Sequence, residues 1–208
     1  MKLQVAIDRV SIERAIEIIR EIYLYADIIE IGTSLIKDFG LESVRRIKSE
    51  FPDKTILADI KTVDEAEYEF EAVYNAGADI ATVLGGASLG TIKICQRVAK
   101  KHNKDYLIDL LETSKEKQEL LKEFSDGILC VHLPSDKGGN GLEELINETL
   151  ENLKDFPRLS VAGGVNVLNI DTIKKANFNI AIVGGAITKS ENIAETAKHF
   201  KMLMKGNE

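Results

Sequence analysis

The stretch that decides the fold is Thr55-Ile56-Leu57-Ala58-Asp59-Ile60-Lys61-Thr62-Val63-Asp64, an apolar run that ends in two acids and a lysine. Lone ionisable groups are costly to bury, whereas a cation held between carboxylates can stay charged. A charged triplet at the end of a strand therefore indicates a functional site rather than packing. Surface helices also carry acid and base three residues apart, so the surrounding pattern has to decide.

Length and charge favour one soluble domain that spans residues 1–208. Hydrophobic residues make up 44% of the 208, which is ordinary for a folded protein. The balance of 27 Lys and Arg against 34 Asp and Glu gives a net charge of -7, which argues against a nucleic-acid partner. A small anionic substrate stays open, because a few local groups can bind a phosphate on an acidic protein.

The cysteines and the N-terminus predict a cytoplasmic protein. Cys95 and Cys130 lie far apart without CxxC spacing, as expected for buried free thiols in a reducing compartment. The apolar stretch in residues 1–8 is too short for a signal peptide. No run approaches roughly 18 apolar residues, so no contact with a membrane is expected.

Short β-branched runs recur eight times along the chain, over residues 3–8, 26–31, 55–60, 79–84, 105–110, 126–131, 158–162 and 179–183. Most are continuously apolar, which is typical of strands buried on both faces of a parallel sheet. Segments of helical periodicity separate them. Eight even strand–helix units predict an α/β fold, a single closed (β/α)₈ TIM barrel, with a doubly wound open sheet as the alternative. The longest irregular piece, residues 134–141, is predicted to be a mobile loop.

Such barrels place their active site at the carboxyl ends of the strands. Polar or small groups stand at that end of most predicted strands, namely Asp8, Glu30, Asp59, Lys61, Asp64, Asp109, His132, Gly163, Gly164, Gly184 and Gly185. A single one of them could be a helix cap or a loop acid. Their recurrence at the same end of successive strands predicts a common site.

Glycine pairs follow the seventh and eighth predicted strands, at Gly163-Gly164 and Gly184-Gly185. Backbone N–H groups can approach an anion there, and the start of the following helix adds its positive end. Glycine also serves ordinary turns. Because barrels commonly bind a phosphate in these two loops, the pairs predict a phosphate cradle.

The charged residues predict metal and proton chemistry. Glu30 and Asp59 lie on neighbouring predicted strands, where two carboxylates with substrate oxygens and water suit Mg²⁺; a structural pair with Lys61 is the alternative. Lys61 can stabilise an enolate, and its acidic neighbours keep it protonated, which makes it a poor Schiff-base nucleophile. His132 is the one histidine of three at a predicted strand end, and we assign it general acid–base work.

Together these motifs resemble the 3-hexulose-6-phosphate synthase and 3-keto-L-gulonate-6-phosphate decarboxylase group of the orotidine-monophosphate decarboxylase suprafamily. The resemblance covers nearly the whole chain and is densest in residues 2–8, 27–33, 58–64, 76–79, 82–85 and 161–165. The D-x-K-x-x-D element at residues 59–64 is specific to the suprafamily in this context. Orotidine-monophosphate decarboxylases, which use no metal, have lysine where Glu30 stands, so this chain resembles the Mg²⁺-dependent branch.

The resemblance implies roles residue by residue. Glu30 and Asp59 resemble the Mg²⁺ ligands, and Asp59 also belongs to the catalytic set. Lys61 and Asp109 resemble groups around the substrate hydroxyls and the metal. His132 resembles the acid–base residue that serves the enediolate carbon.

Other positions resemble substrate and subunit contacts. Asp8 and Asp136 resemble substrate-binding acids, and the two glycine pairs resemble the phosphate cradle. Asp64 resembles an acid that reaches into the active site of the partner subunit. The resemblance therefore implies a homodimer with active sites at the interface.

The loop after the sixth predicted strand departs from the family pattern. Synthases commonly read His-x-Gly-x-Asp-x-Gln there, and this chain has Pro134 and Gly138 at the Gly and Gln positions. Arg9 is also unusual, since an apolar residue is typical at its position. The decarboxylases carry arginine where Ser135 and Gly185 stand, and the stretch 183–187 resembles the synthases instead.

The resemblance implies a Mg²⁺-dependent carbon–carbon lyase. It would condense formaldehyde with D-ribulose 5-phosphate through a 1,2-enediolate. Decarboxylation of 3-keto-L-gulonate 6-phosphate is the alternative, and the missing arginines count against it. A sugar-phosphate-binding protein without chemistry is a third interpretation, which the retained acids, lysine and histidine argue against.

Overall fold

The computed structural model describes residues 1–134, 136 and 141–205. Eight parallel strands follow one another round a closed barrel, and the last pairs with the first. They are β1 Lys2–Ile7, β2 Ile28–Ile31, β3 Thr55–Thr62, β4 Ile80–Leu84, β5 Asp105–Asp109, β6 Ile128–His132, β7 Leu159–Ala162 and β8 Ile180–Val183. The predicted (β/α)₈ TIM barrel is confirmed, and the pairing of β8 with β1 rules out the open sheet. The extent of the domain, residues 1–208, stays a prediction.

Helices connect successive strands. Within the described residues they are α1 Ile12–Ile22, α2 Thr33–Phe39, α3 Leu41–Glu50, α4 Ala66–Asn75, α5 Leu89–His102, α6 Lys115–Leu121, α7 Leu142–Leu153, α8 Ile170–Lys175, α9 Gly185–Thr188 and α10 Ile193–Met204. Two strands are followed by two helices instead of one: the short helix α2 precedes α3 after β2, and the short helix α9 precedes α10 after β8. Most of the predicted loop 134–141 lies outside the described residues, including Ser135, Lys137 and Gly138.

Local sequence explains the typical unit. Helix α1 begins after Ser11, whose hydroxyl accepts a hydrogen bond from the amide of Arg14 at 3.1 Å. Its predicted apolar stripe turns inward and is buried. The opposite face is charged, which leaves it in solvent.

Two apolar clusters hold the barrel together. The larger one fills the layer between the sheet and the helices. The smaller one fills the barrel interior and consists of Ile28, Leu57, Ile80, Leu107, Ile128, Cys130, Ala162, Ile180 and Ile182. Because these side chains fill the barrel interior, the polar groups at the carboxyl ends of the strands lie on top of a packed apolar layer. Cys95 and Cys130 are both free and buried, as predicted.

The pairing of β3 with β4 is irregular at its carboxyl end. The register shifts between Ala58, which pairs with Ala81, and Thr62, which pairs with Val83, so β3 holds two more residues than β4 over this stretch. Lys61 lies in this segment in the left-handed region, at φ 49°. Such a conformation is uncommon for a lysine, so other contacts must hold it there.

None of the helices that the structure describes is long and apolar enough to cross a membrane.

Candidate active site

A cavity of about 800 Å³ opens at the carboxyl ends of the strands. Eleven of the predicted site residues line it, namely Asp8, Glu30, Asp59, Lys61, Asp109, His132, Asp136, Gly163, Gly164, Gly184 and Gly185. Asp64 does not line it and is exposed on the segment after β3. The structure therefore brings eleven of the predicted site residues together at one cavity and leaves Asp64 outside it.

Lys61 is the centre of a buried charge network. Its Nζ donates to Oδ2 of Asp59 at 2.6 Å and lies 3.3 Å from Oδ2 of Asp109. Burial works against the charged ammonium, but the carboxylates of Asp59 and Asp109 outweigh it and raise the pKa of Lys61 above its ordinary value. Lys61 is therefore a fixed cation at neutral pH, as predicted, and not a free amine.

Thr82 on β4 fixes the end of β3. Its hydroxyl accepts a hydrogen bond from the backbone N–H of Lys61 at 2.8 Å and lies 3.0 Å from Oδ1 of Asp59, to which it can donate. Thr82 is buried. One hydroxyl thus ties the left-handed lysine to its acidic neighbour, which explains how the unusual backbone is held.

His132 at the end of β6 pairs with Asp109 at the end of β5. Nδ1 of the imidazole lies 2.8 Å from Oδ2 of the carboxylate. Burial works against ionisation of Asp109, yet the hydrogen bond and charge of His132, followed by Lys61, lower its pKa below the ordinary value. An ionised Asp109 can only accept, so Nδ1 of His132 carries the proton and donates it.

Glu30 on β2 is an acid whose ionised form is disfavoured by its surroundings. Its Oε2 accepts from Nε2 of Gln4 at 2.6 Å, and only 8% of the residue is exposed. Burial first, and then repulsion by Asp59, raise the pKa of Glu30 to about 8. The amide oxygen of Gln4, Oε1, is buried without a hydrogen-bond partner among the described residues. A cation at this point would offset the repulsion between the carboxylates of Glu30 and Asp59. It would also give Oε1 of Gln4 a partner.

The donor set at Glu30 and Asp59 fits magnesium. Magnesium takes oxygen ligands in an octahedron and is usually held by one or two carboxylates, with water and substrate completing the set. The described residues contain no group of three His, Cys, Asp or Glu side chains that could enclose a metal by themselves. Glu30 and Asp59 are two buried carboxylates at an open cavity. They would supply part of the octahedron and leave the other positions to water and substrate.

The segment that follows β2 organises two acids. Oγ1 of Thr33 donates to Oδ2 of Asp59 at 2.6 Å. The next residue, Ser34, donates from its amide and from its hydroxyl to Oδ1 of Asp8, at 3.1 and 2.7 Å. Ser34 also accepts from the amide of Arg9 at 2.6 Å, and Arg9 is left-handed at φ 56°.

The first glycine pair is shaped by close backbone approach. Gly163 has φ 83° and Gly164 has φ 76°, a region that glycine adopts without cost. A side chain at Gly163 would also meet the carbonyl of Leu133, because a Cβ atom there would lie well inside 3.0 Å of it. The loops after β6 and β7 are therefore in direct backbone contact.

The second glycine pair opens the β8 loop onto the cavity. Gly184 precedes the single turn α9, and its carbonyl accepts from the amides of Ile187 and Thr188 at 3.0 and 3.1 Å. Gly185 starts that turn and lies against the side chain of Lys189, which also lines the cavity. Both pairs thus expose backbone at one side of the mouth, where the phosphate cradle was predicted.

Several residues of the site were not predicted. Gln4, Thr33, Ser34, Thr82, Lys37 and Lys189 line the cavity beside the predicted set. The hydroxyls carry no sequence signal, since Thr is common in strands and Ser at helix starts. Gln4 could have been predicted from the sequence, because a polar residue inside an otherwise apolar strand needs a hydrogen-bond partner.

Comparisons with known proteins identify relatives over nearly the whole chain. A family model described as "Orotidine 5'-phosphate decarboxylase / HUMPS family" matches residues 1–200. A 3-hexulose-6-phosphate synthase of Bacillus subtilis (strain 168) is 38% identical over 210 residues, which cover 98% of this chain and 99% of that one. That of Mycobacterium gastri is 36% identical, with 97% and 98% covered.

Solved structures extend the likeness to the fold. A crystal structure of 3-hexulose-6-phosphate synthase superposes with a TM-score of 0.90 at 36% identity, with 99% of this chain and 100% of that chain covered. A crystal structure of KGPDC from Streptococcus mutans gives a TM-score of 0.87 at 26% identity, with 97% and 96% covered.

These relatives confirm the predicted resemblance. They also confirm, at the level of the named relatives, the prediction of a carbon–carbon lyase, since the synthases carry the name of such an enzyme. With a model that matches 200 residues and with full-length relatives above 30% identity, the chain belongs to the orotidine 5'-phosphate decarboxylase / HUMPS family.

Proposed function

We propose that this protein is a magnesium-dependent aldolase that condenses formaldehyde with D-ribulose 5-phosphate, as a 3-hexulose-6-phosphate synthase does. The observation that carries the proposal is the pairing of His132 with Asp109 at 2.8 Å, beside Lys61 and in the cavity that Glu30 and Asp59 also line. This set supplies a base, a fixed cation and a metal-ligating pair in one cavity. The shared name of the relatives supports the same reaction.

Substrate binding is proposed to use the rim of the cavity. The glycine loops at 163–164 and 184–185 would take the phosphate on their backbone N–H groups. Asp8 and Asp136 line other parts of the same cavity and would accept hydrogen bonds from sugar hydroxyls. The cavity volume of about 800 Å³ is ample for a pentose phosphate together with formaldehyde.

His132 would act as the base. With Nδ1–H bonded to Asp109, the other ring nitrogen, Nε2, is available to remove a proton from C1 of the sugar. The electron pair left on C1 forms the 1,2-enediolate, whose negative charge Lys61 stabilises as a fixed cation. C1 then attacks the carbonyl carbon of formaldehyde, and the new oxyanion takes up the proton held by His132.

Glu30 and Asp59 would hold Mg²⁺ through carboxylate oxygens, with Gln4 and Thr33 orienting them. When bound, the ion would supply electrophilic stabilisation of the substrate oxygens. Ionisation of Glu30 is part of the binding, because its pKa of about 8 in the metal-free chain has to be overcome.

The direct test measures loss of formaldehyde in the presence of D-ribulose 5-phosphate. We expect consumption with Mg²⁺, none in EDTA, and recovery when excess Mg²⁺ is added back. Glu30→Gln removes a ligand charge at nearly constant volume and should behave like the EDTA sample. Absence of any metal-dependent loss of formaldehyde would overturn the assignment.

Two other functions remain as alternatives. The likeness to KGPDC favours 3-keto-L-gulonate-6-phosphate decarboxylase as the second candidate, which would reach the same enediolate by loss of CO₂. The place of arginine in the eighth-strand motif is held by Gly185, which disfavours it. Release of CO₂ from that substrate would identify this activity. Sugar-phosphate binding in calorimetry without turnover of any tested substrate would identify a non-catalytic binding protein.

We propose that the protein works as a homodimer in the cytoplasm. Asp64 is exposed outside its own cavity, and the exposed apolar side chains of Val63 and Tyr68 flank it, at 54% and 74% accessibility. Such a segment suits contact with a second copy, into whose site Asp64 would reach. The two buried free thiols suit a reducing compartment.

A further inference from the structure

The backbone conformation of Gly32 does not require glycine. It precedes α2 as the N-cap residue, with φ −66° and ψ 160°, a conformation open to any residue. Ser, Thr, Asp or Asn would cap the helix better, and no side-chain cap is present at α2. Glycine also costs more conformational entropy on folding than any other residue. The reason for glycine at this position must therefore lie outside its own backbone.

Space for Asp8 supplies that reason. A Cβ atom on Gly32 would lie well inside 3.0 Å of three atoms, which are Cγ, Oδ1 and Oδ2 of Asp8. All three belong to one short side chain, so the carboxylate could escape only by leaving its position. The carboxyl group of Asp8 thus occupies the volume that a side chain at residue 32 would fill.

Ser34 holds that carboxylate from the other side. Its amide and hydroxyl both donate to Oδ1 of Asp8, at 3.1 and 2.7 Å. Among the described residues, Oδ2 of Asp8 has no hydrogen-bond partner. One oxygen is therefore fixed, while the other remains available in an acid that lines the cavity.

We propose that Gly32 and Ser34 are positioning residues that orient Asp8, so that Oδ2 accepts a hydrogen bond from a hydroxyl group of the sugar phosphate. The inference rests on the proposed function for the nature of the ligand. The steric relationship between Gly32 and Asp8 does not depend on it. Gly32 is not among the residues that line the cavity, and we infer that it acts only through Asp8.

The test uses Gly32→Ala, Ser34→Ala, Asp8→Ala and the double variant Asp8→Ala/Gly32→Ala in the full-length protein. Calorimetry with D-ribulose 5-phosphate and Mg²⁺ reports binding, and thermal unfolding reports the fold. Loss of one hydrogen bond to a charged group predicts about tenfold weaker binding for each single variant. The double variant should bind as Asp8→Ala does, because the added methyl group then displaces nothing.

Gly86→Ala is the matched control. Gly86 is exposed, lies outside the left-handed region and has no heavy atom within 4 Å of a Cβ position. It should bind the sugar phosphate as the wild type does. Wild-type binding by Gly32→Ala, or a further loss in the double variant beyond Asp8→Ala, would overturn the proposal.

Thermal unfolding tests the steric relationship between Gly32 and Asp8 even if a variant folds poorly. Gly32→Ala should lower the Tm in the wild-type background and should not lower it in the Asp8→Ala background, where alanine instead removes the entropy cost of glycine. An equal decrease in both backgrounds would contradict the steric pair. If the wild type binds the sugar phosphate without consuming formaldehyde, the condensation fails while the binding series still decides this inference. A wild type without binding would overturn the hydroxyl contact, and the Tm values would still decide the steric pair.

Discussion

Nδ1 of His132 lies 2.8 Å from Oδ2 of Asp109, across the neighbouring strands β6 and β5. The lowered pKa of Asp109 keeps this carboxylate ionised, which fixes the imidazole with its proton on Nδ1. In the neutral imidazole, Nε2 is then the ring nitrogen that can accept a proton. The strand pairing itself therefore sets the orientation of the proposed base.

Removal of His132 should abolish proton exchange at C1. With His132→Ala, D-ribulose 5-phosphate incubated in D₂O with Mg²⁺ should retain its C1 proton, measured by NMR without formaldehyde. His102→Ala is the control, since His102 pairs with Glu71 at 2.6 Å away from the cavity and should leave exchange intact. Continued exchange in His132→Ala would remove His132 from its role.

The metal-free protein should lose stability as the pH rises. Burial and the repulsion of Asp59 raise the pKa of Glu30 to about 8, from an ordinary value of 4.5. Between these values the folded state holds a proton that the unfolded state releases, so the free energy of unfolding falls with increasing pH. Urea unfolding in EDTA should show a decline of roughly a few kcal/mol between about pH 5 and pH 8.

Glu30→Gln should remove most of this pH dependence, whereas Glu144→Gln on the exposed face of α7 should retain it. Added Mg²⁺ should stabilise the wild type more at pH 8 than at pH 6, because the ion competes with the proton on Glu30. An equally steep decline in Glu30→Gln would assign the titration to another group.

Thr82→Val should damage both fold and activity. Valine keeps the shape but leaves the amide of Lys61 and Oδ1 of Asp59 without their shared hydroxyl. We expect the free energy of unfolding to fall by about 1–3 kcal/mol, as for other unsatisfied buried groups. Formaldehyde consumption should fall with it, through a lower kcat, because Lys61 loses its backbone anchor.

Thr172→Val is the control for that change. Thr172 on α8 donates to Glu143 at 3.2 Å at the surface, and its loss should alter neither stability nor kcat appreciably. A Thr82→Val protein with unchanged kcat and unchanged urea midpoint would show that the hydroxyl does not hold Lys61.

Subunit mixing should reveal shared sites. Asp64→Ala and His132→Ala should each be inactive alone, because each lacks one part of every site. In a mixed dimer, one site would combine an intact His132 with an intact Asp64 from the partner. Unfolding and refolding the two variants together should therefore restore formaldehyde consumption. No recovery, with mixed dimers verified by mass spectrometry of differently tagged chains, would place Asp64 outside the partner's site.

Much of the architecture could be predicted from local sequence. Continuous apolar runs identified all eight strands to within two residues, because burial on both faces of a parallel sheet leaves little room for polar groups. The acids at strand ends then converged as the fold requires. At the other end of the barrel three acids, Asp27, Asp79 and Asp126, fall in predicted strands that the structure begins after them. Asp79 instead pairs with Lys48 and Lys104.

The details that orient the site could not be predicted. Nothing in the sequence marks Lys61 as left-handed, because the shift in register between β3 and β4 comes from tertiary pairing. The hydroxyls of Thr33 and Thr82 look like ordinary strand and helix residues until their partners are in place. Asp64 is exposed outside the cavity of its own chain, and only the resemblance, not its place in the loop after β3, implies a role in the partner subunit's site.

The contact between Gly163 and the carbonyl of Leu133 has a consequence for engineering. It joins β7 to the chain immediately after His132, and the amide of Leu133 donates to the carbonyl of Ala162 at 3.0 Å as well. The position of His132 is thus clamped before the segment that departs from the family pattern starts at Pro134. We therefore expect His132 to keep its place when the chain from Pro134 onward is exchanged for the corresponding loop of another family member.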